Sequence, residues 1–314
     1  MNQPSVEQPS VEPPSGAQHE LRHGAQQATV VEVGGAVRAY AVDGRDVLEP
    51  FDVGAMADGA HGAVLVPWPN RLEDGVYTFD GAEHRLALTE PVTRCAIHGL
   101  LRWTSWSAQR HDEAAVTMSA RLRPQPGYPF DLLVQVSYAL DDAGLTVTTR
   151  ATNVGGRDLP FGAGQHPYLS AGGGSLDACT AVVPAATRIL TDPARQLPTG
   201  TEPVHGTPYD LRDGRALDGR RLDDAFTDLV RDPDGRARAR LTGPDGRTCE
   251  LWVGPEYPYL QLFTGETLAP ARRRTGLAVE PMTCPPNAFV TGVAVQRLAP
   301  GESSSATWGA RLLP

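Results

Sequence analysis

From Phe130 to Gly156 the chain reads FDLLVQVSYALDDAGLTVTTRATNVGG, with apolar side chains at every second position on both sides of a short polar break. Val134, Val136, Tyr138 and Leu140 alternate with polar or smaller residues. Beyond DDAG, Leu145, Val147 and Ala151 share one face, and Thr146, Thr148 and Arg150 the other. A period of two belongs to a pleated strand buried on one side, so the segment predicts a hairpin. RARARLTGPDGRTCELWVG, starting at Arg236, repeats the plan: Ala237, Ala239 and Leu241 oppose three arginines, GPDG reverses the chain, and Cys249, Leu251 and Val253 return. ATVVEVGG, VRAYAV, YLQLF and FVTGVAVQRL are further short strand candidates. No stretch carries a convincing helical period. The 33 glycines and 28 prolines suit many turns. Together these predict an all-β fold, a large antiparallel β-sandwich, as a single domain over residues 20–314. Residues 1–19, with the near-repeat PSVEQPSVEPPSG, have too little apolar surface to offset ordering and are expected to be a disordered tail.

The residue inventory excludes several kinds of chemistry. All 28 basic residues are arginine. That removes lysine Schiff bases and the lysine of phosphate-binding loops. A net charge of −9 leaves no basic field for a phosphate backbone, so nucleic acid is not an expected partner. The four cysteines form no C-x-x-C pair and read as reduced core thiols. No apolar run nears the ~20 residues of a membrane helix. The opening segment lacks the basic start and apolar stretch of a secretory signal, which predicts a cytoplasmic protein. The sequence leaves the oligomeric state open.

Polar groups gather in a few loop-like stretches between the strands, namely PWPNRLEDG, AIHGLLRW, GQHPYLS, LDDAFTDL and AVEPMTCPPNAF. Glu280 closes the apolar run GLAV and precedes Pro281, which puts its carboxylate at the core edge. Burial there would raise its pKa and make it a usable base; the alternative is an ion pair with Arg272, Arg273 or Arg274. His166 lies between a glycine-rich approach and Pro167–Tyr168, and is either a proton donor or a hydrogen-bonded structural histidine. His98 ends an apolar pair, with Trp103 and Trp106 close behind. Aromatic faces beside polar donors suit a sugar, unless both tryptophans are core. His61, His98, His166 and Glu280 show no H-x-H, H-x-x-x-H or H-E-x-x-H spacing, so no metal is expected.

Taken in order, these stretches and the ending LAPGESSSATWGARLLP resemble the aldose 1-epimerases, the galactose-mutarotase-like family, over about residues 20 to 314. The resemblance implies a large β-sandwich that binds an aldohexose in an open cleft without cofactor and interconverts its α and β anomers. It implies that Glu280 of the E-P motif is the general base and His166 of the H-P-Y motif the general acid. It implies that Arg71, which follows Asn70, and His98 hold the sugar, with Asp223 preferred over Asp224 as an acceptor for its hydroxyls. Asn70, Trp103 and Tyr168 complete the expected binding set. Typical galactose mutarotases have a second glycine after the H-G histidine, whereas this chain reads HGLLRW. Substrate identity therefore stays open, including a phosphorylated or sulfonated sugar facing Arg94 or Arg102. The rival readings are a glycosidase using Asp223 and Glu280, which leaves His166 without a role, and a non-catalytic carbohydrate-binding protein.

Overall fold

In a computed structural model, residues 12–313 are described. Two large antiparallel sheets dominate. The first runs, edge to edge, Gln18–His23, Gln26–Val31, Val37–Val42, Arg45–Leu48, Tyr168–Ser170, Gly276–Met282, Tyr259–Phe263, Asp223–Leu229, Ala185–Thr191 and Pro198–Pro203. Two short strands, Val64–Leu65 and Gly164–Gln165, join it near the centre. The second runs Ser107–His111, Ala115–Leu122, Leu132–Asp141, Gly144–Asn153, Ser303–Leu313, Thr248–Val253, Ala237–Thr242, Thr180–Val182 and Arg215–Ala216. The all-β antiparallel sandwich read from the alternation is the architecture observed. No described helix is long and apolar enough to cross a membrane.

The hairpin at residues 132–153 follows its sequence pattern. Val134 faces Ala151, Tyr138 faces Val147 and Leu140 faces Leu145, all buried, while the intervening positions are more open. The strand Thr248–Val253 departs from simple alternation because residues 249–253 are all buried. Glu250 is fully enclosed, yet Arg240 donates to it at 2.7 Å and Arg311 at 2.8 Å, and the Arg236 guanidinium covers Trp252 at 3.7 Å. Arginine can bury both a carboxylate and an aromatic face on the nominally polar side of a sheet.

Core side chains of both sheets form one cluster that includes Leu21, Tyr40, Val136, Tyr138, Leu262 and Trp308. A buried polar chain runs through it. Trp308 Nε1 donates to Gln165 Oε1 at 3.0 Å, and Gln165 Nε2 donates to the Tyr138 hydroxyl at 2.8 Å. Such groups must be paired when taken from water. All four cysteines are buried and free. Residues 1–11 of the expected tail lie outside the described residues. Order begins before residue 20, however, because Ser15 is buried, Val33 N–H donates to its carbonyl at 3.0 Å, and Gln18 Nε2 donates to its hydroxyl at 2.9 Å.

Candidate active site

The period of two also sets the direction of the site. Because Gln165 points into the core, His166 and, two residues on, Tyr168 point out through the opposite face of the first sheet. On the neighbouring strand, Leu277 and Val279 belong to the core, so Ala278 and Glu280 share the outward face. The next strands follow in register: Gln261 faces Glu280, and Asp223 faces Phe263. Four strands far apart in sequence thus place His166, Glu280, Gln261, Phe263 and Asp223 on one patch. Asp224, one position out of phase, is buried on the other side, where Arg188 Nε donates to it at 2.8 Å.

Two loops wall the patch. Asn70 and His98 both adopt left-handed backbone, with φ of 56° and 62°. Each holds the other: the His98 amide donates to the Asn70 carbonyl at 3.0 Å, and the Asn70 amide donates to His98 Nδ1 at 3.2 Å. An amide can only donate, so Nδ1 is the acceptor and the ring hydrogen of neutral His98 sits on Nε2. Gly99 permits this turn, since a Cβ there would lie 2.0 Å from the Val66 carbonyl oxygen at a φ of 69°. Arg71 leaves the loop into a short strand paired with Cys95–Ile97. Its guanidinium grips Glu90 with two hydrogen bonds of 2.7 and 3.0 Å and stands 3.9 Å from Asp223.

Between these walls is an open cleft of ≈ 730 Å³, mouth included, lined by Asn70, Arg71, Glu90, His98, Arg102, His166, Asp223, Phe263, Leu268 and Glu280 among others. The volume is in the range of small-molecule sites. At its floor His166 Nε2 and Glu280 Oε1 are 3.2 Å apart, both almost fully buried. Arg272, Arg273 and Arg274 are engaged elsewhere, by Asp58, the Leu268 carbonyl, and Asp177 with Glu266. Glu280 Oε2 and His166 Nδ1 are buried without a hydrogen-bond partner among the described residues. Behind His166 the Tyr168 ring stacks at 5.0 Å, and His61 stacks on Tyr168 at 4.2 Å. The Tyr168 hydroxyl donates to the Gly59 carbonyl at 2.9 Å, so this residue backs the histidine rather than facing the cleft.

Burial dominates the electrostatics. It holds Glu280 well above the ordinary carboxylate range, reinforced by the charge of Asp223 and opposed by Arg71. It pushes His166 down to about 3, with Arg102 adding to the effect. Burial therefore favours the neutral form of both groups, a protonated carboxyl beside an uncharged imidazole, so that one proton serves the pair. His98 is likewise held well down by burial, then by His166 and Arg102.

The donor atoms of His98, His166 and Glu280 all lie within 4.8 Å of one another, a cluster whose residue types can ligate a metal. The local bonding does not fit one. His98 offers the cleft an N–H rather than a lone pair, and burial favours the protonated carboxyl of Glu280. A carboxyl, an imidazole and hydrogen-bond donors ring the cleft instead.

Residues 17–310 match the sequence profile of the family described as aldose 1-epimerase. The chain belongs to the aldose 1-epimerase family. The family's enzymes are isomerases. An uncharacterized protein of Escherichia coli K12, YihR, is 32% identical over 289 residues, covering 92% of this chain and 91% of that protein. Galactose mutarotase of Rattus norvegicus is 32% identical, but over 48% of this chain and 45% of its own length. Among solved structures, a GalM/aldose epimerase homologue from C. elegans superposes with a TM-score of 0.84 at 19% identity, over 95% of this chain and 98% of that one. A galactose 1-epimerase from Lactobacillus acidophilus NCFM gives 0.78 at 19%, over 94% and 93%. These likenesses support the same fold for this aldose 1-epimerase homologue.

Of the residues singled out in the sequence, Glu280, His166, His98, Arg71, Asn70 and Asp223 meet at the cleft of this family member. Trp103 does not. It is 48% exposed in a small adjoining hollow, where the Arg102 guanidinium lies over its ring at 5.2 Å. Trp106 is core, donating from Nε1 to the Leu101 carbonyl. Arg94 pairs with Asp74 outside the cleft, whereas Arg102 lines it. Three cleft features lay outside the sequence reading. Gln261 donates to Asp223 at 2.7 Å, and its signal was a lone amide at the middle of the apolar strand YLQLF. Phe263 follows on the same face. Glu90 gave no signal, because only folding brings it beside Arg71.

Proposed function

We propose that this protein interconverts the α and β anomers of an aldohexose, with Glu280 as general base and His166 as general acid. The observation that carries the reading is the 3.2 Å contact between a buried carboxyl and a buried imidazole at the floor of an open cleft. Anomerisation needs two proton transfers at oxygens that share one carbon, so an adjacent acid and base suit it. Ionised Glu280 takes the proton of the anomeric hydroxyl. The electron pair of that O–H bond forms the carbonyl, the bond from C1 to the ring oxygen breaks, and its electron pair leaves with the ring oxygen, which receives the His166 Nε2 proton. Rotation about the C1–C2 bond presents the other face of the aldehyde. Closure then runs the two transfers in reverse.

The shared proton makes the cycle balance. Opening ends with a protonated Glu280 and a neutral His166, the distribution that burial favours. Closure returns the proton to His166 and leaves Glu280 ionised; the proton passes back across their 3.2 Å contact when the cleft empties, and must return to His166 as the next sugar binds. Each transfer is worth about 10²–10⁴-fold in rate. Arg71, locked onto Glu90, and Asp223, held by Gln261, are oriented before the sugar arrives. His98 Nε2 adds a donor of fixed tautomer.

Polarimetry tests the reading. Freshly dissolved α-glucose and α-galactose should relax to equilibrium rotation faster with the protein than without it. A glycosidase would instead release an aglycone from a glycoside, and a binding module would accelerate neither process. Relaxation at the uncatalysed rate for every aldose tried would refute the proposal.

A further inference from the structure

A histidine that passes protons works only while its ring is held, and a hydrogen bond to its other nitrogen usually does the holding. His166 lacks that device, for its buried Nδ1 meets no hydrogen-bond partner among the described residues. What confines the ring is aromatic. Tyr168 lies nearly parallel to it, at 5.0 Å and 19°, and His98 meets it edge-on at 5.4 Å and 76°. His61 then lies flat on Tyr168, at 4.2 Å and 2°, so the stack runs His166, Tyr168, His61. Its two segments are strapped together, because the His166 amide donates to the Ala63 carbonyl at 3.1 Å and the Gly62 amide donates to the His166 carbonyl at 2.9 Å.

The far end of the stack is fixed from a third segment. Arg272, in the short 3₁₀ turn Pro270–Arg272, reaches His61 Nδ1 with Nη2 at 2.6 Å and Asp58 with Nη1 at 3.0 Å, while His61 Nε2 lies 2.5 Å from the Glu49 carbonyl oxygen. A guanidinium only donates and a carbonyl only accepts, so Nδ1 is the acceptor and the hydrogen of neutral His61 sits on Nε2. Both nitrogens of this buried ring are thereby occupied, and it can neither flip nor exchange a proton with a sugar. In the middle of the stack the Tyr168 hydroxyl closes on the Gly59 carbonyl at 2.9 Å. That approach requires glycine, since a Cβ at position 59, where φ is 55°, would lie 2.9 Å from the hydroxyl oxygen. His61, Tyr168 and Arg272 do not line the cleft. We propose that His61 and Tyr168 are positioning residues: their stack, clamped by Arg272, holds the His166 imidazole with Nε2 toward Glu280 and the sugar, in place of the hydrogen bond that Nδ1 does not make. The inference rests on His166 being the general acid.

Anomerisation of an aldohexose that the wild type turns over is followed by polarimetry in wild type, Tyr168→Leu, Tyr168→Phe and Arg272→Ala, with Tm measured for each. Tyr168→Leu removes the ring and lets the imidazole wander, so kcat should fall roughly 10- to 100-fold while KM stays within about threefold. Tyr168→Phe keeps the ring and loses only the hydroxyl, and should recover most of that kcat even though its Tm falls. Arg272→Ala leaves the stack in place but frees its outer end. It should lower kcat several-fold at unchanged KM, and it decides the matter if the leucine variant does not fold. A stack that serves the fold alone would lower Tm in all three variants and leave kcat of the folded protein at the wild-type value; that result overturns the proposal with the epimerase reading intact. A loss confined to KM does the same. So does a phenylalanine variant as slow as the leucine one, because the hydroxyl rather than the stacked ring would then be responsible. No acceleration by the wild type for any aldose brings down the epimerase reading and this inference with it.

Discussion

Replacing Glu280 by glutamine separates what the buried carboxyl does for catalysis from what it does to the fold. Glutamine keeps the shape and can still meet His166 Nε2, but it accepts no proton. Loss of the base removes a contribution of about 10²–10⁴-fold, or about 3–5 kcal/mol of transition-state stabilisation. Polarimetry of a hexose that the wild type turns over should therefore show kcat/KM down by at least about a hundredfold. Stability should move the other way. The carboxyl is held well above its ordinary range by burial and by Asp223, so folding favours its protonated form. That contribution is complete below the unfolded-state value near 4.3 and is lost as pH rises through the raised folded-state value, each tenfold step in the equilibrium being about 1.4 kcal/mol. Glutamine carries no such penalty. Thermal unfolding followed from pH 4 to pH 9 should show the variant level with the wild type at the acid end and increasingly more stable toward the alkaline end. Wild-type turnover in the variant, or a variant that grows less stable relative to wild type as pH rises, would refute the reasoning.

Four further outcomes follow from the same geometry. His166→Asn should lower kcat by about a hundredfold or more with little change in Tm, since it removes the acid but leaves a polar side chain in place; unchanged turnover would make the histidine structural. Because burial pushes His166 down to about 3, the pair keeps its single proton well below the ordinary histidine range. The acid limb of the kcat/KM profile should thus fall below pH 5 rather than near 6.5; a limb centred at 6.5 would contradict the coupled pair. Asp223→Asn should raise KM about tenfold or more at unchanged Tm. Asp224→Asn should instead cost about 1–3 kcal/mol in urea unfolding by taking the negative charge from the buried bond to Arg188. A reversed pattern would exchange the two aspartates. Gly99→Ala, forced against the Val66 carbonyl at 2.0 Å in left-handed backbone, should lower Tm by several degrees; an unchanged Tm would mean that the loop yields freely.

What was legible in the sequence is what period and motif carry. Alternation in residues 132–153 gave the hairpin, its register and its buried face, because a two-residue period is a direct image of the pleat. The same rule separates Asp223 from Asp224: one residue of phase sends the first into the cleft and the second to Arg188. It also turns Gln165 into the core and His166 out of it. What stayed hidden depends on pairing between distant segments. Glu90 is anchored by Arg71 from another loop, and Trp103 reads in sequence as a sugar platform but sits over the edge of the cleft. Glu250 lies in a strand whose alternation fails because arginines from two other positions neutralise it inside the sheet. The two arginines nearest His98 in sequence show the limit most clearly. Arg94 and Arg102 looked equivalent, yet among the described residues Arg94 pairs with Asp74 outside the cleft, whereas Arg102 forms no ion pair and lines it.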